Sequence, residues 1–142
     1  MIIRPIGDTD VEATVALWQS CGLTRPWNDP RKDIYFARQK PSSEVLVGQV
    51  DGGIIAAVMF GHDGHRGAIY YLAVAPTHEG QGLGRAIHNA AVQWLHKQGV
   101  WKINLMVRSE NAGVAKFYEK LGYTQNHVIS FGKLITPEES ST

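Results

Sequence analysis

Hydrophobic and polar positions along the chain follow two periods, and each period predicts a different kind of element. Helical spacing of apolar residues appears in three segments, which start near Thr9, Leu83 and Ala112. Each of these segments ends at a glycine suited to a left-handed C-terminal cap. A capping box formed by Thr9 and Glu12 is predicted to open the first helix. Asp29-Pro30 predicts the start of a further, shorter helix that ends near Arg38.

Strand-like segments are apolar runs or period-two alternations bounded by turn residues. They comprise residues 2–6, 45–50, 54–60, 69–75, 101–107 and 128–134. Asp51-Gly52-Gly53 predicts a hairpin turn between the second and third, and the polar, glycine-rich residues 61–67 link the third to the fourth. The order β-α-α-β-β-β-α-β-α-β predicts an α+β fold of three layers, in which helices flank a mixed, largely antiparallel central sheet.

Length and composition are those of one soluble domain. The chain has 142 residues and a formal net charge of +1, with its basic residues scattered, so a nucleic-acid partner is not expected. No apolar run is long enough to span a bilayer and the N-terminus is charged, so we expect no membrane partner and a cytoplasmic location. A lone cysteine, Cys21, excludes an internal disulfide framework and takes a packing role, and no metal site is expected. We expect one domain over residues 1–136 and a frayed polar tail over residues 137–142.

A glycine-rich turn between the fourth strand and the following helix is the most informative chemical signal. Gln81-Gly82-Leu83-Gly84-Arg85 would leave backbone N–H groups at the positive end of a helix dipole, where they suit phosphate oxygens. The turn lacks the Lys of a P-loop, and the third glycine of a dinucleotide fingerprint would fall at Ile87. A strand-to-helix turn with no ligand at all is an alternative explanation of the same pattern.

A second motif follows the turn, Asn111-x-x-x-Ala115-x-Phe117-Tyr118-x-x-Leu121-Gly122-Tyr123. Together the two segments resemble the GCN5-related N-acetyltransferase (GNAT) family. The first family signature, Gln or Arg-x-x-Gly-x-Gly or Ala, falls on residues 79–84, where both glycines match and Glu79 departs. Residues 25–30 and 61–67 are similar to segments of small bacterial acetyltransferases of the YpeA type. The element order also fits, so the resemblance covers nearly the whole chain.

The resemblance implies an acyltransferase that moves an acetyl group from acetyl-CoA to a primary amine by direct attack in a ternary complex. It implies that the strand before the turn splays from its neighbour at a bulge, where pantetheine lies. An N–H near Leu72 would stabilise the oxyanion, and Tyr118 would protonate the departing thiolate. The implied cofactor-binding residues are Leu72, Ala73, Val74, Gly80, Gln81, Gly82, Leu83, Gly84, Arg85, Asn111 and Tyr118. Asn111 also suits a helix cap, and Tyr118 also suits a helical core position.

The base that the amine requires is not evident from the sequence. Many family members place a Glu four residues before the Leu72 position, where this chain has Ala68. The candidates in its place are His62, Asp63, His65 and Asp29, with Tyr70 able to order a water. The loop Trp27-Asn28-Asp29 corresponds to a region that borders the acceptor site in the family, and Asp29 would attract a cationic amine. The same loop has an alternative explanation as a purely structural connection.

The acceptor is either a small-molecule amine or a peptide amine, and no residue pattern distinguishes the two. An acyl-CoA-binding or sensing module with the same fold and little transfer is the main alternative, because the strand Glu is absent. A structural dimer module is a third reading. Exposed strand edges are compatible with a homodimer.

Overall fold

A four-stranded antiparallel sheet, with its strands in the order β1-β2-β3-β4, forms the centre of the first of two compact units. The strands are β1 (Ile2–Pro5), β2 (Ser43–Val50), β3 (Gly53–His62) and β4 (Gly67–Val74). This computed structural model describes residues 1–136, so the predicted tail at residues 137–142 lies outside the described residues. The first unit is Met1–Leu105 and the second is Met106–Thr142.

Within residues 1–136, three α-helices belong to the first unit and one to the second. They are α1 (Val11–Ser20), α2 (Pro30–Ala37), α3 (Leu83–Lys97) and α4 (Ala112–Lys120). Within the described residues, no helix combines the length and the apolar character needed to cross a membrane.

Alternation along the strands divides the core of the first unit between two faces of the sheet. Val45 and Val47 pack with α1 and α2 in one buried cluster, whereas Leu46 packs with α3 in the other. Side chains of successive strand residues point to opposite faces, which is why a fully apolar strand such as β2 can serve both clusters. The predicted α+β fold, with helices on both sides of an antiparallel sheet, is confirmed.

The start of α1 differs from the predicted capping box. Thr9 lies in a 3₁₀ turn, Asp8–Asp10, and the Asp10 carboxylate accepts the Gly7 N–H at 2.7 Å and an Arg4 hydrogen bond at 2.6 Å. Glu12, the other predicted member of the box, is bound instead by Arg31 of α2 at 2.6 Å. The prediction of a Thr9–Glu12 box is therefore wrong, because ion pairs with distant residues outcompete the local arrangement.

Two predicted strands do not form within the described residues. The first, residues 101–107, contributes a single parallel bridge between Ile103 and Gly67, where the Gly67 N–H binds the Lys102 carbonyl at 2.9 Å. The second, residues 128–134, has no ladder partner in the described chain, and Phe131 is 90% exposed. A period-two pattern identifies residues that fit a strand, but a strand forms only where another backbone pairs with it.

Candidate active site

The last part of β4 departs from regular pairing with β3. Between its paired residues Tyr70 and Ala73, β4 contains two residues, Tyr71 and Leu72, where β3 contains one. Tyr71 has a φ of +54°, a left-handed conformation that is rare for a bulky residue. The extra residue makes this a β-bulge, which bends a strand and interrupts its hydrogen-bond ladder. A bulge is thus present on the strand where the family resemblance implied one.

The side chain of Tyr71 is held by two helices of the same unit. Its ring stacks on Trp18 of α1, with centroids 4.1 Å apart and planes 14° apart. Its hydroxyl donates a hydrogen bond of 2.8 Å to the carboxylate of Asp33 in α2. Burial, followed by the hydrogen bond to Asp33, raises the pKa of the phenol well above its ordinary value, so Tyr71 stays protonated and acts as a donor.

The three strand residues predicted to bind pantetheine lie at and after this bulge. Ala73 is buried in the sheet, and Leu72 and Val74 are half-buried. The Cys21 thiol, in the residue that follows α1, donates to the Val74 carbonyl at 3.4 Å. The sequence predicts a packing role for Cys21, which lies far from both motifs along the chain. It does pack on the core, but it also touches the strand that carries the candidate site.

The glycine turn has an open main-chain surface. Gly80 and Gly82 have φ values of +78° and +76°, and a Cβ added at either residue would meet no atom within 4 Å. Gly82 is the N-cap of α3, and the helical ladder begins with the Ala86 N–H bound to the Gly82 carbonyl at 3.1 Å. The N–H groups of Leu83, Gly84 and Arg85 precede that ladder. A phosphate can therefore approach these donors without meeting a side chain at either glycine.

Glu79, which replaces the expected Gln or Arg, is exposed, as are Gln81 and Arg85. Its backbone is extended, with φ −67° and ψ 156°, and it follows a 3₁₀ turn at Pro76–His78. Within residues 1–136, Glu79 forms no ion pair. A carboxylate so exposed is strongly hydrated, which reduces its repulsion of a nearby anion.

The loop between α1 and α2 lies near Tyr71 of the bulge. The Asp29 carboxylate caps α2 by accepting the Arg31 N–H at 2.9 Å, so this part of the structural explanation of the loop holds. The charge of Asp29 also raises the pKa of the Tyr71 phenol, which places this carboxylate within electrostatic range of the bulge. Trp27 and Asn28 are both exposed.

The turn between β3 and β4 lies at the start of β4, whereas the bulge lies near the end of that strand. The Asp63 carboxylate accepts the N–H groups of His65 and Arg66 at 2.9 and 2.8 Å, and these bonds lower the pKa of Asp63. Gly67, where β4 begins, precedes Leu72 by a distance of roughly 17 Å along an extended strand. A carboxylate with a lowered pKa is a weaker base, and this one is remote from the bulge.

The other predicted residues at that end of β4 are His62, His65 and Tyr70, and the His65 side chain is exposed. His62 accepts the Gly64 N–H at its Nδ1 atom, at 3.0 Å, and so belongs to the turn. Ala68 pairs with Gly61, and Tyr70 is 46% exposed. The described part of the chain holds no group of three or more His, Cys, Asp or Glu side chains that would suit a metal ion.

The second motif forms α4 of the second unit. The Asn111 side chain accepts the Val114 N–H at 3.3 Å, so Asn111 is the cap of the helix. The Tyr118 ring lies edge-on to Phe117 and Tyr123, with centroid distances of 5.2 and 5.5 Å. Tyr118 is 9% exposed, and burial raises its pKa to about 12. The phenol therefore carries its proton at neutral pH, as a general acid must.

Comparison with known proteins bears on what these features do. A model of the acetyltransferase (GNAT) family matches residues 12–123. An acetyltransferase of Sodalis glossinidius (strain morsitans) is 41% identical over 140 residues, which cover 98% of this chain and 99% of that protein. An acetyltransferase of Yersinia enterocolitica is 41% identical over the same shares of the two chains.

A solved structure of AAC(6')-Iy in complex with the bisubstrate analogue CoA-S-monomethyl-acetylneamine has the same fold, with a TM-score of 0.78 and 18% identity over 94% of this chain and 97% of that one. The ribosomal-protein-S18-alanine N-acetyltransferase of Escherichia coli superposes with a TM-score of 0.72 and 25% identity over 88% of this chain and 78% of that one. With a bulged strand that runs into a glycine turn, and with the family model matched across most of its length, this chain belongs to the GNAT family of acetyltransferases, acyltransferase enzymes that use acetyl-CoA as the acetyl donor.

Proposed function

We propose that the protein transfers the acetyl group of acetyl-CoA directly to a primary amine while donor and acceptor are both bound. The observation that carries this proposal is the continuity of β4, its bulge at Tyr71 and Leu72, and the glycine turn that opens α3. Main-chain N–H groups at the bulge suit a thioester carbonyl, and those at the turn suit a pyrophosphate. The thioester and the pyrophosphate are two polar groups of the donor that need recognition.

The donor would be held mainly by backbone groups. Acetyl-CoA supplies the acetyl group as an activated thioester. The strand residues Leu72, Ala73 and Val74 would bond the pantetheine, and Asn111 would add a side-chain contact. The phosphates would lie against the turn formed by Gly80, Gln81, Gly82, Leu83, Gly84 and Arg85. The open space at Gly80 and Gly82 is compatible with this assignment, because neither glycine places a side chain between an anion and the main-chain N–H groups.

Two groups of the chain would act on the reacting bonds. The N–H of Leu72 would stabilise the negative charge that develops on the thioester oxygen when the amine attacks, and one such donor is typically worth about 2.7–4 kcal/mol. The hydroxyl of Tyr118 would donate its proton to the sulfur as the carbon–sulfur bond breaks. With a pKa of about 12, Tyr118 is a weaker acid than an exposed tyrosine, so it would release the proton only as charge develops on the sulfur.

The acceptor would approach from the side of the α1–α2 loop. Trp27, Asn28 and Asp29 are exposed there, and Asp29 would attract a cationic amine. Asp63, His65 and Tyr70 would contact only an acceptor long enough to follow β4 toward its start, such as a peptide. Because Ala68 carries no carboxylate, we infer that the amine loses its proton through water ordered near the bulge.

We also propose the extent of the catalytic domain, its cellular location and its oligomeric state. The family model covers residues 12–123, which supports treating residues 1–136 as one acetyltransferase domain. A cytoplasmic location is part of the same proposal. A homodimer formed through an exposed strand edge would be compatible with this assignment.

Isotope-labelled acetyl-CoA incubated with a panel of peptide and small-molecule amines tests the proposal. The wild-type protein should acetylate at least one amine class, and Tyr118→Phe should lower kcat by about 10²- to 10⁴-fold with an unchanged Kd for CoA. The control is Tyr35→Phe, since Tyr35 is an exposed tyrosine of α2. Unchanged turnover in Tyr118→Phe would remove Tyr118 as the acid. Tight CoA binding without transfer or hydrolysis would favour the acyl-CoA-sensing alternative.

A further inference from the structure

Tyr71 combines an unfavourable backbone conformation with a position beside the proposed oxyanion donor. In the described chain the non-glycine residues with positive φ are Gln39, Asp51 and Tyr71. The first two lie outside the strands, at turns, whereas Tyr71 interrupts the ladder of β4. A left-handed conformation is costly for an aromatic residue and persists only where its surroundings compensate. The surroundings of Tyr71 must therefore compensate for this conformation, and the contacts of its side chain are the first to consider.

The two contacts of Tyr71 fix different parts of its side chain. Trp18 is fully buried, and its parallel stack on Tyr71 fixes the plane of the phenol ring. The 2.8 Å hydrogen bond to Asp33 fixes the far end of the ring and joins it to α2. Removal of the hydroxyl would release one end of the ring while the stack remains. A single conservative substitution, Tyr71→Phe, therefore tests the hydrogen bond separately from the stack.

We propose that Tyr71 is a positioning residue for acetyl transfer: its hydrogen bond to Asp33 and its stack on Trp18 hold the β4 bulge so that the Leu72 N–H is aimed in advance at the thioester carbonyl. The proposal rests on the function proposed above. An oxyanion donor accelerates a reaction only when it is already oriented, because reorganisation during the reaction cancels its benefit. The same hydrogen bond connects the bulge to α2, the helix capped by Asp29.

A direct chemical role for Tyr71 is less compatible with its environment. Its hydroxyl proton is already donated to the Asp33 carboxylate, and the raised pKa of the phenol opposes loss of that proton. Tyr71 would therefore act through Leu72 and not on the substrate itself.

Three variants test the proposal, with Tyr35→Phe as a matched control that removes an exposed hydroxyl from α2. Tyr71→Phe keeps the stack and removes the hydrogen bond. Asp33→Ala removes the acceptor, and Asp33→Asn retains an acceptor oxygen for the phenol. Amide hydrogen exchange of the free protein reports on the bulge, and steady-state kinetics report on transfer.

In Tyr71→Phe and Asp33→Ala, the amides of residues 71–74 should exchange about tenfold faster, while those of β1 and β2 keep their wild-type rates. In both variants kcat should fall about tenfold with KM for acetyl-CoA within about twofold, because donor binding by the turn is intact. Asp33→Asn should restore most of the rate. A purely structural role would instead raise exchange throughout the sheet.

The proposal is overturned if Tyr71→Phe matches Tyr35→Phe in bulge exchange and in kcat, or if its exchange rises uniformly. Should the wild-type protein prove inactive toward every acceptor and toward water, the proposed function fails on its own. Faster exchange confined to the bulge of Tyr71→Phe would then still support the proposal that Tyr71 fixes the orientation of the Leu72 N–H. Unchanged exchange in this variant would overturn that proposal without any measurement of activity.

Discussion

Replacement of Gly82 by alanine separates the binding role of the glycine turn from its role in folding. Gly82 has a φ of +76°, and its Cβ would meet no atom within 4 Å, so the substitution brings backbone strain without a steric clash. The left-handed conformation costs an alanine about 1–2 kcal/mol, and the stiffer unfolded chain offsets about 0.4–1 kcal/mol of this. We therefore expect Gly82→Ala to lower the free energy of unfolding by about 1 kcal/mol.

Gly99 provides a matched control at the other end of the same helix. It has a φ of +95° and the same open space, so Gly99→Ala should carry a comparable loss of stability. The 15 residues of α3 separate the two glycines by about 22 Å, which is too far for Gly99 to affect the turn. Urea unfolding of both variants checks that their stabilities match.

Only Gly82→Ala should weaken donor binding. In the proposed site, its methyl group would stand in open space beside the N–H groups that bind the phosphate. Loss of one hydrogen bond to a charged group, worth about 1.5–3 kcal/mol, raises the Kd for CoA by about 10- to 150-fold. Calorimetric titration with CoA measures this directly. Equal affinities in Gly82→Ala and Gly99→Ala would refute the assignment of the turn as the pyrophosphate site.

Substitutions at three further residues test other parts of the site. Glu79→Gln should strengthen CoA binding by about a few-fold at low salt and by less at high salt, because it removes a negative charge near the phosphates. Titrations that show no salt-dependent increase in CoA affinity would mean that Glu79 is remote from the phosphates. Asp29→Ser should keep the α2 cap and raise KM for a cationic amine, whereas Asp29→Ala should also cost about 1 kcal/mol of stability; an unchanged KM in both would leave Asp29 as a cap only. Because the folded state binds the Tyr118 proton more tightly than the unfolded chain, the contribution of Tyr118 to stability should be constant below about pH 10 and fall by about 2–3 kcal/mol toward pH 12, so urea unfolding of Tyr118→Phe should show a loss smaller by that amount than the wild type over the same pH range.

Much of the first unit is predictable because its signals are local. The alternation through Val45, Leu46 and Val47 assigns these side chains to opposite faces, and they do pack in the two core clusters. Gly22 and Gly99 follow their helices with φ values of +70° and +95°, as a left-handed cap requires. Backbone preferences of this kind depend on the residue itself and on its neighbours within one turn.

The predictions that fail depend on partners distant in sequence. Glu12 fits a capping box by spacing, but Arg31, 19 positions away, binds it instead. Residues 101–107 alternate as a strand should, but in the described chain they form one isolated bridge, at Ile103, and no ladder. Helix periodicity predicts a self-contained hydrogen-bond pattern, whereas a strand requires a second segment that its own sequence does not specify.

At the candidate site, too, the sequence does not reveal a feature that depends on residues distant along the chain. Side-chain motifs predict roles for Tyr118 and the glycine turn, but a tyrosine within an apolar run ordinarily indicates a regular strand and does not reveal the bulge at Tyr71. If the reaction relies on a main-chain N–H, the residues that set its rate include those that shape the local φ and ψ angles, whatever their own chemistry. Substitutions at Trp18 and Asp33, which no catalytic motif includes, should then affect turnover more than substitution of the exposed Glu79, because the first two act on the orientation of Leu72 and the third acts only on donor affinity.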